Sequence, residues 1–309
     1  MTEKKYDIVI VGGGPGGLTA GLYAARANRK TVLIEKYLPG GQIANTEEVE
    51  DYPGFHLIAG PELAMKMTEH AKHFGLEIAS DEVTEIYSDG NDRIVVTASG
   101  DIYRAKAVII STGGSPNHLN VPGEKDFAGK GVSYCAICDG AFFKNQVIAV
   151  AGGGDAAVEE GLFLTKFGSK VYIIHRRNEL RAQKIIQQRA HNNPKIEFIL
   201  DTVIDSINGD SRVRNLSLRN VKIGRQSTLE VGAIFIFVGF VPNSNLTREP
   251  LNKDKGGYII TNERMETSIK GIFACGDVRS QMVRQITNAV GDGTTAAVAA
   301  EKYIEEMES

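Results

Sequence analysis

Asp7-Ile-Val-Ile-Val-Gly-Gly-Gly-Pro-Gly-Gly17 is the stretch from which the fold can be read. An apolar, β-branched run passes into six residues of which five are glycine, and the chain from about Pro15 to Asn28 then reads as helix. A second apolar run, Thr31-Val-Leu-Ile-Glu35, follows. Gly12, Gly14 and Gly17 therefore fit G-x-G-x-x-G in the strand–turn–helix–strand setting that gives the pattern its meaning. The first glycine makes the tight turn, the second lets a pyrophosphate approach the backbone, and the third packs helix against strand. The helix start offers unpaired N–H groups and the positive end of its dipole to phosphate oxygens. Glu35, ending the second strand, is placed to accept hydrogen bonds from the two hydroxyls of an adenosine ribose.

The pattern returns 140 residues later. Gln146-Val-Ile-Ala-Val-Ala151 leads into Gly152-Gly-Gly-Asp-Ala-Ala157, a helical stretch, and Lys170-Val-Tyr-Ile-Ile174. Gly12, Gly14 and Gly17 map onto Gly152, Gly154 and Ala157, and Glu35 maps onto His175. One such glycine pattern is a weak signal, whereas two at identical internal spacing are strong. The copies differ where they should meet a ribose. An acidic Glu35 suits two hydroxyls and repels a 2′-phosphate. His175-Arg176-Arg177, with Arg181 four residues on, offers planar guanidinium forks to phosphate oxygens, so the second copy is expected to take NADPH in preference to NADH.

The whole chain has 309 residues, 34 of them glycine, with 35 basic and 38 acidic side chains and a net charge of −3. That balance gives no reason to expect a nucleic-acid partner. Residues 120–245 carry +4 and the remainder −7, so a basic segment lies inside an acidic frame. The longest apolar run, Ala233–Val241, is far below the ~20 residues of a membrane span, and the charged Met1–Asp7 does not read as a signal peptide. Thr112–Asn117 and Gly239–Asn243 combine Gly, Pro and Asn after short apolar strands and read as linkers. A unit inserted between them leaves the first domain built from both chain ends. Residues 212–232 read as a hairpin or meander.

Three cysteines make no disulfide scaffold. Cys135-Ala-Ile-Cys138 is the one close pair. It can be read as half of a zinc site lacking its other ligands, as an incidental pair, or as a redox dithiol, in which two-residue spacing allows a reversible disulfide. The last is favoured by the nucleotide pattern fourteen residues on. Asp139 is either a proton donor and acceptor for a departing thiolate or a helix-capping carboxylate. Cys275 reads as a buried small residue, and His70 and His73 as a solvated helix face.

Gly40-Gly-Gln-Ile43, Glu50-Asp-Tyr-Pro-Gly54, Val132-Ser-Tyr-Cys-Ala-Ile-Cys-Asp-Gly140, His175-Arg-Arg177, Gly271-Ile-Phe-Ala-Cys-Gly-Asp277 and Arg284-Gln-Ile286, in this order, resemble the bacterial low-molecular-weight thioredoxin reductases. The resemblance implies an α/β fold of two Rossmann-like three-layer domains, the second inserted into the first. Residues 1–116 and 244–309 would bind FAD, and residues 117–243 would bind NADPH and carry the cysteines. By similarity FAD meets Gly12, Gly14, Gly17, Glu35, Gln42, Asp277, Arg284, Gln285 and Ile286. A helix after Gly291-Asp-Gly293 would point its N-terminus at the flavin. NADPH would meet Gly152, Gly154, Asp155, His175, Arg176, Arg177 and Arg181. Hydride would pass from NADPH to FAD, and the flavin would reduce a Cys135–Cys138 disulfide; Cys138 would face the flavin and Cys135 would attack oxidised thioredoxin, with Asp139 the candidate beside them for the proton. By the same resemblance the NADPH domain would rotate between half-reactions, with the linkers as hinges. The resemblance also implies a cytoplasmic homodimer with no metal. A related flavoprotein disulfide reductase or dithiol oxidase acting on another disulfide is the alternative, and a non-catalytic redox sensor is a third.

Overall fold

A computed structural model describes residues 3–46 and 48–309, apart from the side chains of Cys138 and Phe240. The chain forms two compact units, one of residues 1–115 with 241–309 and one of residues 116–240. In order, the first run comprises β1 (Glu3–Val11), α1 (Pro15–Arg26), β2 (Thr31–Glu35), the small hairpin β3 (Glu48–Val49) and β4 (Ile58–Ala59), α2 (Gly60–His73), β5 (Glu77–Ser80), β6 (Val83–Asp89), β7 (Asp92–Thr97), β8 (Ile102–Ile110) and β9 (Gly114–Pro116). Next come β10 (Val132–Ser133), α3 (Ala136–Asp139), β11 (Val147–Gly152), α4 (Asp155–Leu164), β12 (Lys170–Ile174), α5 (Lys184–His191), β13 (Ile196–Ile199), β14 (Thr202–Gly209), β15 (Val213–Asn220), β16 (Gln226–Glu230) and β17 (Ala233–Phe237). The chain ends with β18 (Phe240–Pro242), β19 (Ile272–Ala274) and α6 (Ile286–Glu308).

In the first unit the sheet runs β5-β2-β1-β8-β7-β6. β1 is parallel to β2 and β8, while the long β8 pairs antiparallel with β7 near its start and parallel with β19 near its end. Alternate residues of the parallel strands face opposite layers. Ile8, Ile10, Leu33 and Ile109 join the core under α1 and α6, whereas Val9, Val32, Ile34 and Val108 face the other side. A strand buried on both faces must be apolar throughout, which is why Ile8-Val-Ile-Val11 shows no alternation. Pro15 opens α1, its fixed φ suiting a first turn whose N–H has no partner within the helix.

The inserted unit repeats this plan. Its parallel sheet runs β10-β17-β11-β12-β13. Ile148, Val150, Ile173 and Phe235 pack with α4 and α5, while Ala149, Ala151, Ile234 and Ile236 pack against the antiparallel meander β14-β15-β16. The hairpin read at 212–232 is the second half of that meander.

One expectation is corrected. The last helix begins at Ile286, with Gln285 as its N-cap, so Gly291, Asp292 and Gly293 lie inside it and not before it. Of the two glycines, Gly293 serves a helix–helix contact. A Cβ on Gly293 would run into the Gly16 carbonyl, where α6 crosses α1. Asp292 is clamped by Arg279 at 3.0 Å and accepts the Gly276 N–H at 3.1 Å.

Candidate functional site

Both glycine turns sit at the carboxyl ends of parallel strands, where open α/β sheets bind ligands. At the first, Gly12 has φ +102°, and a Cβ there would strike the Ser111 carbonyl. A Cβ on Gly17 would collide with the Gly12 carbonyl, so turn and helix close together only without side chains. Gly14 caps α1 without a side-chain hydrogen bond, and no acidic residue lies in the first turn. The helix start therefore keeps its unpaired N–H groups for an anion. Glu35 is fixed beside it: Oε2 accepts the Gly13 N–H at 2.6 Å and Oε1 accepts the Tyr37 N–H at 2.9 Å. Each carboxylate oxygen retains capacity for a hydroxyl donor.

Residues distant in sequence gather around this turn. Gly41 approaches Gly14 so closely that a Cβ on it would lie 3.0 Å from the Gly14 Cα, which brings the neighbouring Gln42 to the turn. Ile43 is buried in a small apolar cluster against which Ile286 packs, so Gln285 and Ile286 join the same end of the unit. Asp277 follows β19 in a single 3-10 turn. Its half-buried carboxylate makes no hydrogen bond among the described residues, and burial pushes its pKa up against the opposing charge of Arg284. Arg284 stacks over the Tyr258 ring at 4.0 Å. An unpartnered carboxylate beside an uncapped helix start fits a dinucleotide that carries both phosphates and hydroxyls.

The second turn has the same backbone with different edges. Gly152 has φ +149°, Gly154 caps α4 with no side-chain bond, and open space lies above Gly154. The loop after β12 folds back over it: Arg181 N–H donates to the Gly153 carbonyl at 2.6 Å, and Asp155 Oδ1 accepts the Gln183 N–H at 2.7 Å. Asp155 thus braces the loop, a role that sequence reading did not supply. His175 is only 6% exposed, its ring packed against Gly153 and its Nε2 without a hydrogen-bond partner. Burial, then the charges of Arg181, Arg177 and Arg176, hold its pKa below the ordinary value, so the imidazole is neutral at pH 7. Arg176, Arg177 and Arg181 are exposed and make no ion pair among the described residues. Three unpartnered guanidinium groups at one strand end fit a phosphate.

Cys135 is disulfide-bonded, whereas Cys275 is a buried free thiol. Cys138 lies within α3, and its side chain falls outside the described residues. The Asp139 carboxylate caps nothing and lines a recess of about 240 Å³ with Lys130, Phe142 and Arg212. Phe142 is 75% exposed. Burial pushes the Cys275 thiol up to about 12, which leaves it unreactive.

The repeat extends further than the glycines. Val132 pairs with Ile234 of β17 as Ile272 pairs with Val108 of β8. The 140-residue offset therefore recurs, but this strand comes first in the inserted unit and last in the outer one. Gly131 and Cys135 stand where Gly271 and Cys275 stand in the other copy, and the shared Gly-x-x-x-Cys was the available signal.

The sequence pattern of the pyridine nucleotide-disulphide oxidoreductases matches residues 6–293. A thioredoxin reductase of Bacillus subtilis is 48% identical over 307 residues, spanning 99% of this chain and 97% of that one. The crystal structure of Lactococcus lactis thioredoxin reductase superposes with a TM-score of 0.95 at 49% identity, covering 97% of this chain and 99% of that one. That of T. acidophilum thioredoxin reductase gives 0.93 at 33% identity, with 98% and 99% covered.

Proposed function

Because the chain belongs to the pyridine nucleotide-disulphide oxidoreductase family, and within it to the thioredoxin reductases, we propose that its two units divide one electron path between them. The enzyme is a thioredoxin-disulfide reductase that uses FAD and NADPH. Residues 1–116 with 244–309 hold FAD at Gly12, Gly14, Gly17, Glu35, Gln42, Asp277, Arg284, Gln285 and Ile286. Residues 117–243 hold NADPH at Gly152, Gly154, Asp155, His175, Arg176, Arg177 and Arg181. Bound FAD supplies the relay that accepts a hydride and delivers an electron pair to a disulfide. The observation that carries this division is the contrast at the two strand ends, one closed by the Glu35 carboxylate and the other by three unpartnered arginines.

The protein's own residues then complete the exchange. With Cys135 and Cys138 reduced, the Cys135 thiolate attacks the thioredoxin disulfide and displaces one thioredoxin sulfur. The Cys138 thiolate attacks the Cys135 sulfur of the mixed disulfide, which restores the Cys135–Cys138 bond and releases dithiol thioredoxin. Asp139 exchanges a proton with the thiols as they leave and attack, and its uncapped carboxylate supports that assignment. Phe142, Lys130 and Arg212 beside it form an exposed apolar and basic surface for the incoming thioredoxin. The units reorient between the flavin-reducing and dithiol-reducing steps about the connections near residues 112–117 and 239–243, and the protein acts as a cytoplasmic homodimer. Among the described residues no helix is long and apolar enough to cross a membrane.

The experiment is a set of half-reactions. Flavin reduction by NADPH, followed by absorbance, should persist in Cys135→Ser, while thioredoxin reduction should vanish. Retained thioredoxin reduction would overturn the assignment.

A further inference from the structure

Glu124 is a carboxylate only 3% exposed that takes no part in the reaction just described. Its Oε1 accepts the Tyr134 hydroxyl at 2.6 Å and the Leu119 N–H at 3.0 Å, and its Oε2 accepts the Asn120 N–H at 2.6 Å. His118 Nδ1 lies 2.7 Å from the Tyr134 oxygen and 3.3 Å from Glu124 Oε1. An ionised carboxylate cannot donate, so the phenol proton points to Glu124 and the phenol oxygen accepts. That assigns the Nδ1 proton to His118 and selects the tautomer. Burial pushes the Glu124 carboxyl up, but the bonds from Tyr134, Leu119, Asn120 and His118 together bring it below its ordinary value. Burial and the Glu124 charge both raise the Tyr134 phenol, so it stays protonated.

The cluster joins two stretches of the inserted unit. One is residues 118–120, just after the chain enters the unit, where the Asn117 N–H is already tied to the Gly239 carbonyl at 2.8 Å. The other is Tyr134, the residue before Cys135. On the next residue back, Ser133 Oγ accepts the Cys135 N–H at 3.1 Å and donates to the Cys135 carbonyl at 3.2 Å. The backbone that presents Cys135 is thus held by a side chain on each of the two preceding residues.

We propose that Tyr134, clamped by Glu124 and His118, is a positioning residue for the dithiol that sets the reduction potential of the Cys135 couple. This rests on the reading of Cys135 and Cys138 as that couple. The equilibrium between dithiol and disulfide depends on how narrowly the two sulfurs are held near each other, which is an effective concentration. Releasing the Tyr134 anchor widens the range open to Cys135 and weakens the disulfide relative to the dithiol, making the couple more oxidising.

The test equilibrates the holoenzyme in mixtures of reduced and oxidised dithiothreitol, traps thiols with a maleimide, and reads the transition by mass. In each turnover the protein disulfide takes two electrons and two protons from the dithiol reagent, which closes to its cyclic disulfide. Tyr134→Phe removes only the hydroxyl and should lower the disulfide-forming equilibrium constant about 3- to 10-fold, a shift of about 15–30 mV for a two-electron couple. The KM for NADPH should not change. His118→Ala should shift the couple in the same direction, and His118→Gln, whose amide can still donate to the phenol, should restore it. If Tyr134→Phe fails to fold, His118→Ala decides, with an expected change of about 3-fold. A folded Tyr134→Phe, or a His118→Ala, within measurement error of the parent overturns the positioning role. Absence of any two-thiol transition at Cys135 and Cys138 in the parent overturns the underlying reading as well, so the two failures are distinct.

Discussion

Replacing Arg176 and Arg177 together with alanine addresses the difference between the two glycine-turn units. Both side chains are exposed and, among the described residues, neither holds a carboxylate, so their removal leaves no buried charge unpaired. The backbone bond at this point is independent of the side chain, since the Arg177 carbonyl accepts the Asp201 N–H at 3.1 Å. A charge-assisted hydrogen bond contributes about 1.5–3 kcal/mol when shielded, and solvent at an exposed site reduces this to about 1–1.5 kcal/mol per arginine. Two such losses come to about 2–3 kcal/mol, or about 30- to 150-fold in kcat/KM for NADPH. NADH has no 2′-phosphate, so its kcat/KM should change less than about 3-fold. Steady-state rates with each coenzyme, at 0.1 M and 1 M salt, provide the assay. In the parent the preference for NADPH should narrow at high salt, where the screening length falls from ~10 Å to ~3 Å, and in the double variant it should barely move. Equal losses for both coenzymes would show that the arginines support the loop and not a phosphate, and the reasoning would fail.

Three further outcomes follow from the packing and the titration behaviour. Gly293→Ala forces a Cβ against the Gly16 carbonyl at the α1–α6 crossing, and should destabilise the outer unit by about 1–3 kcal/mol in denaturant melts; an unchanged midpoint would deny the close approach. His175 has a folded-state pKa below its ordinary 6.5, so the unfolded chain binds that proton first. Stability from this group is present above about pH 6.5 and lost as pH falls through it, and His175→Gln should flatten that acid-side decline in melts between pH 7.5 and 5.5. Cys275, buried with its thiol pushed up to about 12, should resist alkylation in the reduced native enzyme while two thiols react, and Cys275→Ala should keep full turnover; three reacting thiols would contradict its burial.

Much of the fold was legible because the decisive residues act locally. A glycine turn needs particular φ values, a doubly buried strand needs an uninterrupted apolar run, and both leave marks within a dozen residues, as at Val11–Gly17 and Ala151–Ala157. Gly293 looked like part of a helix opening for the same reason. A glycine that admits a neighbouring helix looks, in sequence, like one that opens a helix, and only the α1–α6 crossing separates them. The strand β10 was hard to see because two residues carry no periodicity, and its kinship with β19 rests on the common Gly-x-x-x-Cys and on equivalent pairings, Val132 with Ile234 and Ile272 with Val108. The Glu124 cluster was equally hidden: His118, Glu124 and Tyr134 have no spacing that marks them as a set, and a buried carboxylate announces itself only by what surrounds it. Gln42, Asp277 and Gln285 could be named by resemblance but not by pattern, since tertiary contacts such as Gly41 against Gly14 and Ile286 beside Ile43 bring them to one turn.

One chain is expected to carry electrons from NADPH through FAD and the Cys135–Cys138 pair to thioredoxin. A coupled assay tests it most directly: purified flavoprotein, NADPH and a thioredoxin, with NADPH oxidation and thioredoxin thiol formation measured in the same cuvette. One dithiol should form per NADPH consumed, and Cys135→Ser or Cys138→Ser should abolish it. Protein that carries no flavin, or that oxidises no NADPH with any thioredoxin, would contradict it.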